Sequence, residues 1–195
     1  MRESEVIALA NLKFNNSPFP HFSSSAMFRE GLENKIFKWL QVTDEWKFTK
    51  ADFYTQYEIC LSNIVLPAEL HFLVSKDTVA VLTKKLNSLF EKQSLKLVNV
   101  TAHKLIDGHR MGIHNDLVGT DETHRLIVQI NPNWQPENGG FLMFFNSEKP
   151  DDVFAVIQPL NNSAVGFEIS DHSYHAVSMV HDYNRYTIVY TFNLN

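Results

Sequence analysis

The sequence predicts a mainly β fold, a sandwich or a barrel, braced by helices that precede it in the chain. Three observations support this class. After about residue 95, short apolar segments alternate with turn residues. Two earlier segments, 26–41 and 76–93, instead place apolar residues at helical intervals. The length of 195 residues and the 44% hydrophobic content suit a single domain with a sizeable core.

Each of the two helical segments is preceded by residues that could form its N-cap. Ser23–Ser25 offer possible N-caps for the first helix, and Ser75 or Asp77 could cap the second. Between the helices, the apolar stretch 53–72 contains Pro67 and is therefore not expected to form one continuous helix. Because both helices precede the β region, we expect them to cover one face of a sheet. The expected division is a helix-rich support over residues 1–94 and a β core over 95–195.

Six apolar segments of the second half have the length and composition of strands. They are 95–100, 126–131, 140–145, 153–157, 163–167 and 186–192.

Composition narrows the range of partners. The net charge is −5 and no basic run occurs, which argues against nucleic acid. No apolar run reaches the roughly 18 residues of a membrane span. Residues 1–5 carry two acids with no apolar core behind them, unlike a signal peptide. The single cysteine, Cys60, cannot form an internal disulfide, so we expect a reducing, cytoplasmic location.

The most informative motif is His114-Asn115-Asp116. Residues i and i+2 of a strand point to the same side, so His114 and Asp116 could bind one metal ion together. A third ligand must then come from a remote strand. His175 is the preferred candidate, and the nearby His172 stays open. Two imidazoles and one carboxylate, with vacant positions opposite, form the ligand set of non-haem Fe(II) oxygenases.

Arg185 strengthens this interpretation. It stands ten residues after His175 and opens an apolar strand. A guanidinium is costly to bury there without a carboxylate partner, and its planar fork suits a bidentate carboxylate. The sequence therefore places a candidate anion-binding group near the candidate metal site.

These features occur in an order that resembles a known family. Residues 97–193 are similar to the catalytic domain of the Fe(II)- and 2-oxoglutarate-dependent dioxygenases, in the prolyl-hydroxylase-like branch. The matching features are Gly108 six residues before the first His, His114-Asn115-Asp116, Arg125 on an apolar strand ending at Asn131 before Trp134, the Gly139–Gly140 pair, His175 before Val177, and Arg185 before the aromatic strand end Tyr190–Phe192.

The resemblance implies a double-stranded β-helix core, of jelly-roll or cupin-like type, with the N-terminal half as support and possible substrate lid. It implies that His114, Asp116 and His175 bind the metal and serve catalysis. Arg185 would pair with the distal carboxylate of 2-oxoglutarate. Gln129 and Arg125 are further candidate contacts to this co-substrate. The family often has Tyr at the positions of Leu105 and Gln129, and an amide can still donate a hydrogen bond.

The implied cofactors are Fe(II), 2-oxoglutarate as co-substrate and O2, with ascorbate as a possible reductant. The implied reaction is hydroxylation of a C–H bond of an amino-acid unit, in a peptide or free, with succinate and CO2 as co-products. The carboxylate of Asp116 favours oxygenation over halogenation. We expect the surface loop Leu117–His124, in which Asp121 and Glu122 are acidic, to receive an amino-acid, peptide or small-molecule substrate.

Two other functions remain open. A non-catalytic jelly-roll binding protein could retain the ligand pattern, although the intact His114, Asp116, His175 and Arg185 argue against it. A zinc hydrolase could use the same three ligands. Arg185 discriminates here too, because hydrolysis needs no buried anchor for 2-oxoglutarate.

Overall fold

A computed structural model describes residues 6–117 and 121–194 of the chain. These ranges contain fourteen strands and two α-helices, joined by turns and short 3-10 segments. In chain order they are β1 (Ile7–Ala10), β2 (Lys13–Asn15), β3 (His21–Ser24), β4 (Ala26–Phe28), α1 (Leu32–Val42), β5 (Lys47–Lys50), β6 (Thr55–Cys60), α2 (Lys76–Leu89), β7 (Leu95–Leu105), β8 (Met111–His114), β9 (Glu122–Gln129), β10 (Leu142–Phe145), β11 (Val153–Ile157), β12 (Ala164–Glu168), β13 (His175–Val177) and β14 (Arg185–Leu194).

The last eight strands are divided equally between two antiparallel sheets. The larger sheet has the order β2-β3-β12-β9-β14-β7-β6-β5, and the smaller one has the order β11-β10-β13-β8. β7, β9, β12 and β14 thus lie in one sheet, and β8, β10, β11 and β13 lie in the other. This arrangement is a double-stranded β-helix, or jelly roll, and it confirms the predicted fold class. A separate pair is formed by β1 and β4.

The sequence of β14 explains its central place. Its residues, RYTIVYTFNL, are mostly β-branched or aromatic, and it pairs with β7 on one side and β9 on the other. Successive side chains face opposite sides of the sheet. Tyr186, Ile188 and Tyr190 join the apolar cluster under the helices, whereas Arg185 and Thr187 line a cavity between the sheets.

Apolar residues form two clusters, and strands β7, β9 and β12 contribute side chains to both. The outer cluster joins the larger sheet to the helices through residues such as Ile36 of α1 and Leu82 of α2. The inner cluster lies between the two sheets and contains Phe144 and Phe167. The helices therefore cover one face of the larger sheet, as predicted. The longer helix has 14 residues, and no helix in the described ranges is long and apolar enough to cross a membrane.

α2 begins where the sequence indicated. Ser75, rather than Asp77, is its N-cap, and the Ser75 hydroxyl accepts a hydrogen bond from the Thr78 amide at 3.3 Å. The first helix begins at Leu32, six residues later than predicted, after Gly31 in the left-handed region (φ +90°). Ser23–Ser25 cap no helix, because Ser23 and Ser24 pair with β12 instead. The prediction of these caps was wrong.

Residues 1–94, which the sequence describes as helix-rich, also contribute strands to the sheets. This half contains two α-helices but also β1 to β6. β2 and β3 extend the larger sheet beyond β12, and β6 and β5 extend it beyond β7. Strands near the end of the sheet, such as β6 (TQYEIC), are short and mix polar with apolar residues, so their pattern is weak until a partner strand is known. The stretch 53–72 is indeed not one helix, since it contains β6 and short 3-10 segments.

Candidate active site

The predicted metal ligands meet between the two sheets. His114 ends β8 and His175 begins β13, and the two residues are direct partners in the β8–β13 ladder. One ligand atom from each of His114, Asp116 and His175 lies within 4.8 Å of the others. The His114 Nε2 is 3.2 Å from Asp116 Oδ1, and the His175 Nε2 is 3.3 Å from Asp116 Oδ2.

Asp116 reaches the site by a route that differs from the predicted strand alternation. β8 ends at His114, and Asp116 lies beyond it with a left-handed backbone (φ +63°). The turn is held by Asn115, whose Oδ1 accepts a hydrogen bond from the Leu117 amide and whose carbonyl accepts one from the Ser173 hydroxyl. A turn, and not a continuing strand, therefore directs the carboxylate toward the imidazoles.

Both imidazoles are oriented by backbone carbonyls two residues earlier. The His114 Nδ1 lies 2.9 Å from the Gly112 carbonyl oxygen, and the His175 Nδ1 lies 2.7 Å from that of Ser173. Because a carbonyl only accepts, each Nδ1 carries the proton and each Nε2 presents a lone pair to the cluster. Such contacts fix the tautomer of metal-binding histidines. Phe53 packs on the His114 ring at a centroid distance of 4.7 Å.

The charges of the cluster suit a cation. Burial opposes ionisation of Asp116, but its contacts with His175, Arg125 and His114 hold the pKa of this carboxyl well below its ordinary value. Burial lowers the pKa of His175. Asp116 Oδ2 is buried without a hydrogen bond of good geometry, although Arg125 Nη1 lies 3.1 Å away.

The donor set fits a divalent transition metal. Two ligands on adjacent positions of an ion with bonds of about 2.1 Å are about 3 Å apart. The separations of 3.2 and 3.3 Å between the imidazole nitrogens and the carboxylate oxygens match this spacing. Two imidazoles and one carboxylate, with the remaining positions free, suit Fe(II).

His172, the alternative ligand, lies elsewhere. Its side chain is 77% exposed and contacts Asp171 at 3.4 Å. It does not belong to the cluster with His114 and Asp116. Of the two candidate histidines, the structure brings only His175 to the predicted site.

Arg185 is buried in the same region. Its side chain is 4% exposed, and it forms no ion pair or hydrogen bond with the residues that the structure describes. Burial lowers its pKa to about 10, so the guanidinium stays charged at neutral pH. Gly140 (φ +68°) makes room for it, because a Cβ there would stand 2.8 Å from Arg185 Cδ. An unpaired buried guanidinium of this kind calls for an anionic ligand.

A small cavity of about 40 Å³ joins these groups. It lies between the sheets, and its polar lining consists of Gln56, His103, His114, Arg125, His175, Arg185 and Thr187. The predicted contact Gln129 does not line this cavity. Its Oε1 accepts a hydrogen bond from Asn131 at 3.2 Å, and its Nε2 is buried without a partner. Arg125 and Arg185 are thus brought together at the cavity, and Gln129 lies beside it.

Arg125 contacts Asp116, one of the three candidate metal ligands. Its Nη1 is 3.1 Å from Asp116 Oδ2, and its Nη2 is 2.8 Å from Glu122 Oε2. Glu122 was expected to lie in the substrate loop. It is instead the first residue of β9, and its carboxylate forms an ion pair with Arg125. Val118–Thr120, in the middle of the predicted substrate loop, lie outside the described residues.

Three polar residues of the cavity were missed by the sequence analysis: Gln56, His103 and Thr187. His103 stands two residues before Leu105 on β7, and alternation along the strand could have indicated that both face the same side. Gln56 comes from β6, a strand that the sequence did not reveal. Its amide donates to Glu58 Oε1 at 2.9 Å, and its own Oε1 is buried without a partner.

Fold and site together define a class: a double-stranded β-helix with a His-Asp-His metal cluster, the arrangement of a non-haem iron oxygenase. Residues 100–193, which contain all three cluster residues and Arg185, match the family described as the 2OG-Fe(II) oxygenase superfamily. This region of the chain belongs to that superfamily. This region therefore has the fold and the ligand set of a 2-oxoglutarate-dependent Fe(II) dioxygenase, a class that uses Fe(II), 2-oxoglutarate and O2.

Solved structures share the fold over most of the chain. A prolyl-4-hydroxylase from Pseudomonas putida is 14% identical, with 84% of each chain covered and a TM-score of 0.64. A prolyl hydroxylase from Trichoplax adhaerens, in complex with a hypoxia inducible factor peptide fragment, is 12% identical, with 83% of this chain and 77% of that chain covered and a TM-score of 0.60.

HygX from Streptomyces hygroscopicus, with nickel and 2-oxoglutarate bound, is 11% identical, with 90% of this chain and 83% of that chain covered and a TM-score of 0.62. At these identities the likeness shows the fold alone. No curated protein sequence matches the chain significantly.

Proposed function

We propose that the protein hydroxylates a C–H bond of an amino-acid unit, within a peptide or free, while converting 2-oxoglutarate to succinate and CO2. The observation that carries the proposal is the unpaired, buried guanidinium of Arg185, which lines the same cavity as the imidazoles of the metal cluster. A dicarboxylate can bind the metal cluster at one end and Arg185 at the other. A hydrolase would have no use for such an anchor.

Each residue has a defined task in this proposal. His114, Asp116 and His175 hold the Fe(II), and the carbonyls of Gly112 and Ser173 fix the imidazole orientation. When bound, the iron supplies the redox chemistry that couples O2 and 2-oxoglutarate to C–H oxidation.

Arg185 neutralises and orients the distal carboxylate of the co-substrate. Arg125 holds the second oxygen of Asp116, and Gln129 offers its unpartnered amide N–H near the Arg185 end. The apolar residues between the sheets, including Phe144 and Phe167, exclude water from the reacting groups.

Two observations support an amino-acid unit as the substrate: the similarity to solved prolyl hydroxylases and a groove beside the metal site. Proteins of this fold include prolyl hydroxylases, which is an argument by analogy. A groove of about 890 Å³ adjoins the metal cavity, and Met111 and Val177 line both. Phe53 and Tyr54 form one wall of this groove beside His114. A peptide-borne residue could lie there with its side chain directed toward the metal.

The first test is succinate formation from 2-oxoglutarate in the presence of Fe(II), O2 and ascorbate. We expect slow turnover of the wild-type protein without a prime substrate, and none for His114→Ala. Absence of succinate under all conditions, together with absence of 2-oxoglutarate binding, would refute the enzyme assignment. The substrate class is tested by incubation with free amino acids and with proline-containing peptides. Mass spectrometry should reveal the gain of one oxygen atom, and a product lacking any amino-acid unit would contradict the proposal.

A further inference from the structure

The cavity beside the metal cluster must offer hydrogen-bond donors to its ligand, because both carboxylates of 2-oxoglutarate only accept. Several polar groups of its wall are already committed. Arg125 directs its Nη1 to Asp116 and its Nη2 to Glu122. Gln56 donates to Glu58, whose carboxylate can only accept, and its own Oε1 is buried without a partner. Among the charged and ring N–H groups of the described wall, this leaves Arg185, His103 and the Nε–H of Arg125.

His103 stands where a ligand of Arg185 would pass. On β7 it is the direct partner of Thr187, and its neighbour Leu105 is the direct partner of Arg185. His103 and Arg185 are therefore diagonal neighbours on one face of the sheet, about 7–8 Å apart at their Cα atoms. Both side chains line the same cavity as the two imidazoles of the metal cluster. A molecule that extends from the metal to Arg185 must pass along this wall.

The His103 side chain has no other assignment in the fold. It makes no hydrogen bond, ion pair or ring contact with any residue in the ranges 6–117 and 121–194. Burial, and the positive charges of Arg125 and Arg185, lower its pKa to about 3. The ring is therefore neutral under physiological conditions and carries one N–H donor and one acceptor nitrogen.

We propose that His103 donates a hydrogen bond to a carboxylate oxygen of bound 2-oxoglutarate and so forms, with Arg185, a two-point anchor for the co-substrate. This inference rests on the proposed function. It assigns a binding role to a residue outside the metal cluster and the set predicted from sequence. Because one donor is charged and the other neutral, the anchor supplies two bonds to a dianion without placing a third cation next to Arg125.

The test compares His103→Leu, which removes the donor, with His103→Asn, which keeps an N–H group. The dissociation constant of 2-oxoglutarate is measured on the Fe(II)-loaded protein without O2, through the visible charge-transfer absorption of the chelated keto acid. We expect His103→Leu to raise this constant about tenfold or more, and His103→Asn to restore a large part of the affinity. Co(II) affinity without 2-oxoglutarate should change less than twofold in both variants.

His172→Leu is the matched control, since it removes an exposed histidine and should leave 2-oxoglutarate binding unchanged. Unaltered affinity in a folded His103→Leu protein would overturn the inference, as would equal losses in the Leu and Asn variants, which would indicate packing alone. If His103→Leu does not fold, His103→Phe, which also lacks the donor, is compared with His103→Asn by the same criterion. Failure of the wild-type protein to bind 2-oxoglutarate would instead refute the proposed function.

Discussion

The two faces of β14 make opposite use of the same strand. On the face toward the helices, Ile188 and Phe192 are fully buried among apolar side chains. On the face toward the smaller sheet, Arg185 and Thr187 are equally buried but line a cavity. The side chains of both faces are thus buried to a similar degree. The inner face differs because it buries polar groups, and the Arg185 Nε there has no hydrogen-bond partner. The outer face provides stability, and the inner face keeps polar groups available for a ligand.

The comparison has one informative exception. The Tyr190 hydroxyl lies on the outer face, has no hydrogen-bond partner, and is so buried that its pKa is raised well above the ordinary range. Unlike Arg185, it adjoins none of the cavity that contains the metal cluster. An orphaned polar atom therefore indicates a ligand site only when open space accompanies it.

The largest effect is expected from Asp116→Ala on the inner face. Loss of a metal-binding carboxylate should weaken metal affinity by more than roughly 100-fold, since changes in the surrounding shell alone already cost 10- to 100-fold. Co(II) titration measures this affinity, and succinate formation should disappear in parallel. Asp171→Ala is the control, because this carboxylate is 71% exposed and lies outside the cluster. Comparable metal binding by both variants would contradict the site.

Arg185→Met separates binding from stability. We expect the dissociation constant of 2-oxoglutarate to rise about 100-fold, because a buried bidentate charge pair is lost. Stability of the ligand-free protein should stay equal or increase, because an unpaired buried charge is replaced by an apolar chain of similar length. Urea unfolding without ligand gives the second quantity. A clear loss of stability would mean that the guanidinium has a structural role.

Ile188→Ala tests the outer face of β14. Ile188 follows Thr187 in the strand but points to the opposite side, away from the cavity. The side chain is fully buried, and its truncation should lower the free energy of unfolding by about 2–4 kcal/mol. Affinity for 2-oxoglutarate in the folded variant should stay within twofold. Val156→Ala, which truncates an exposed residue, should leave stability nearly unchanged. A selective loss of 2-oxoglutarate binding by Ile188→Ala would show that the two faces are coupled.

A smaller effect is expected from pH on the outer face. Burial against Phe90 lowers the pKa of His124 to about 4, with Glu168 raising it and Lys92 lowering it. The unfolded histidine takes up a proton near pH 6.5, so stability falls as the pH drops below that value. At pH 5 this costs about 2 kcal/mol, and His124→Leu should remove that part of the difference between pH 7 and pH 5. Urea unfolding at both values measures it, with exposed His172→Leu as the control. An unchanged pH dependence would contradict the assignment to His124.

The sequence predicted the chemistry of the site better than its geometry. His114, Asp116, His175 and Arg185 carry their meaning in residue type and order, so the cluster could be anticipated. The left-handed turn at Asp116 could not, because Asp tolerates that conformation without requiring it. Ser23 and Ser24 are good helix caps by type, yet pairing with β12 decides their structure. Gln56 escaped notice because strand pairing between distant segments leaves little local signal.

The direct pairing of His114 with His175 has a mechanical consequence. β8 is one of the two edge strands of the four-stranded sheet, and within that sheet it pairs with β13. An ion shared by these two residues would act as a cross-link between neighbouring strands, in addition to their backbone hydrogen bonds. Metal at 100 times its dissociation constant would stabilise the fold by about 2.7 kcal/mol. Amide hydrogen exchange along Met111–His114 should slow on metal loading more than exchange along the helices. The metal site would then also stabilise the edge strand β8 against local opening.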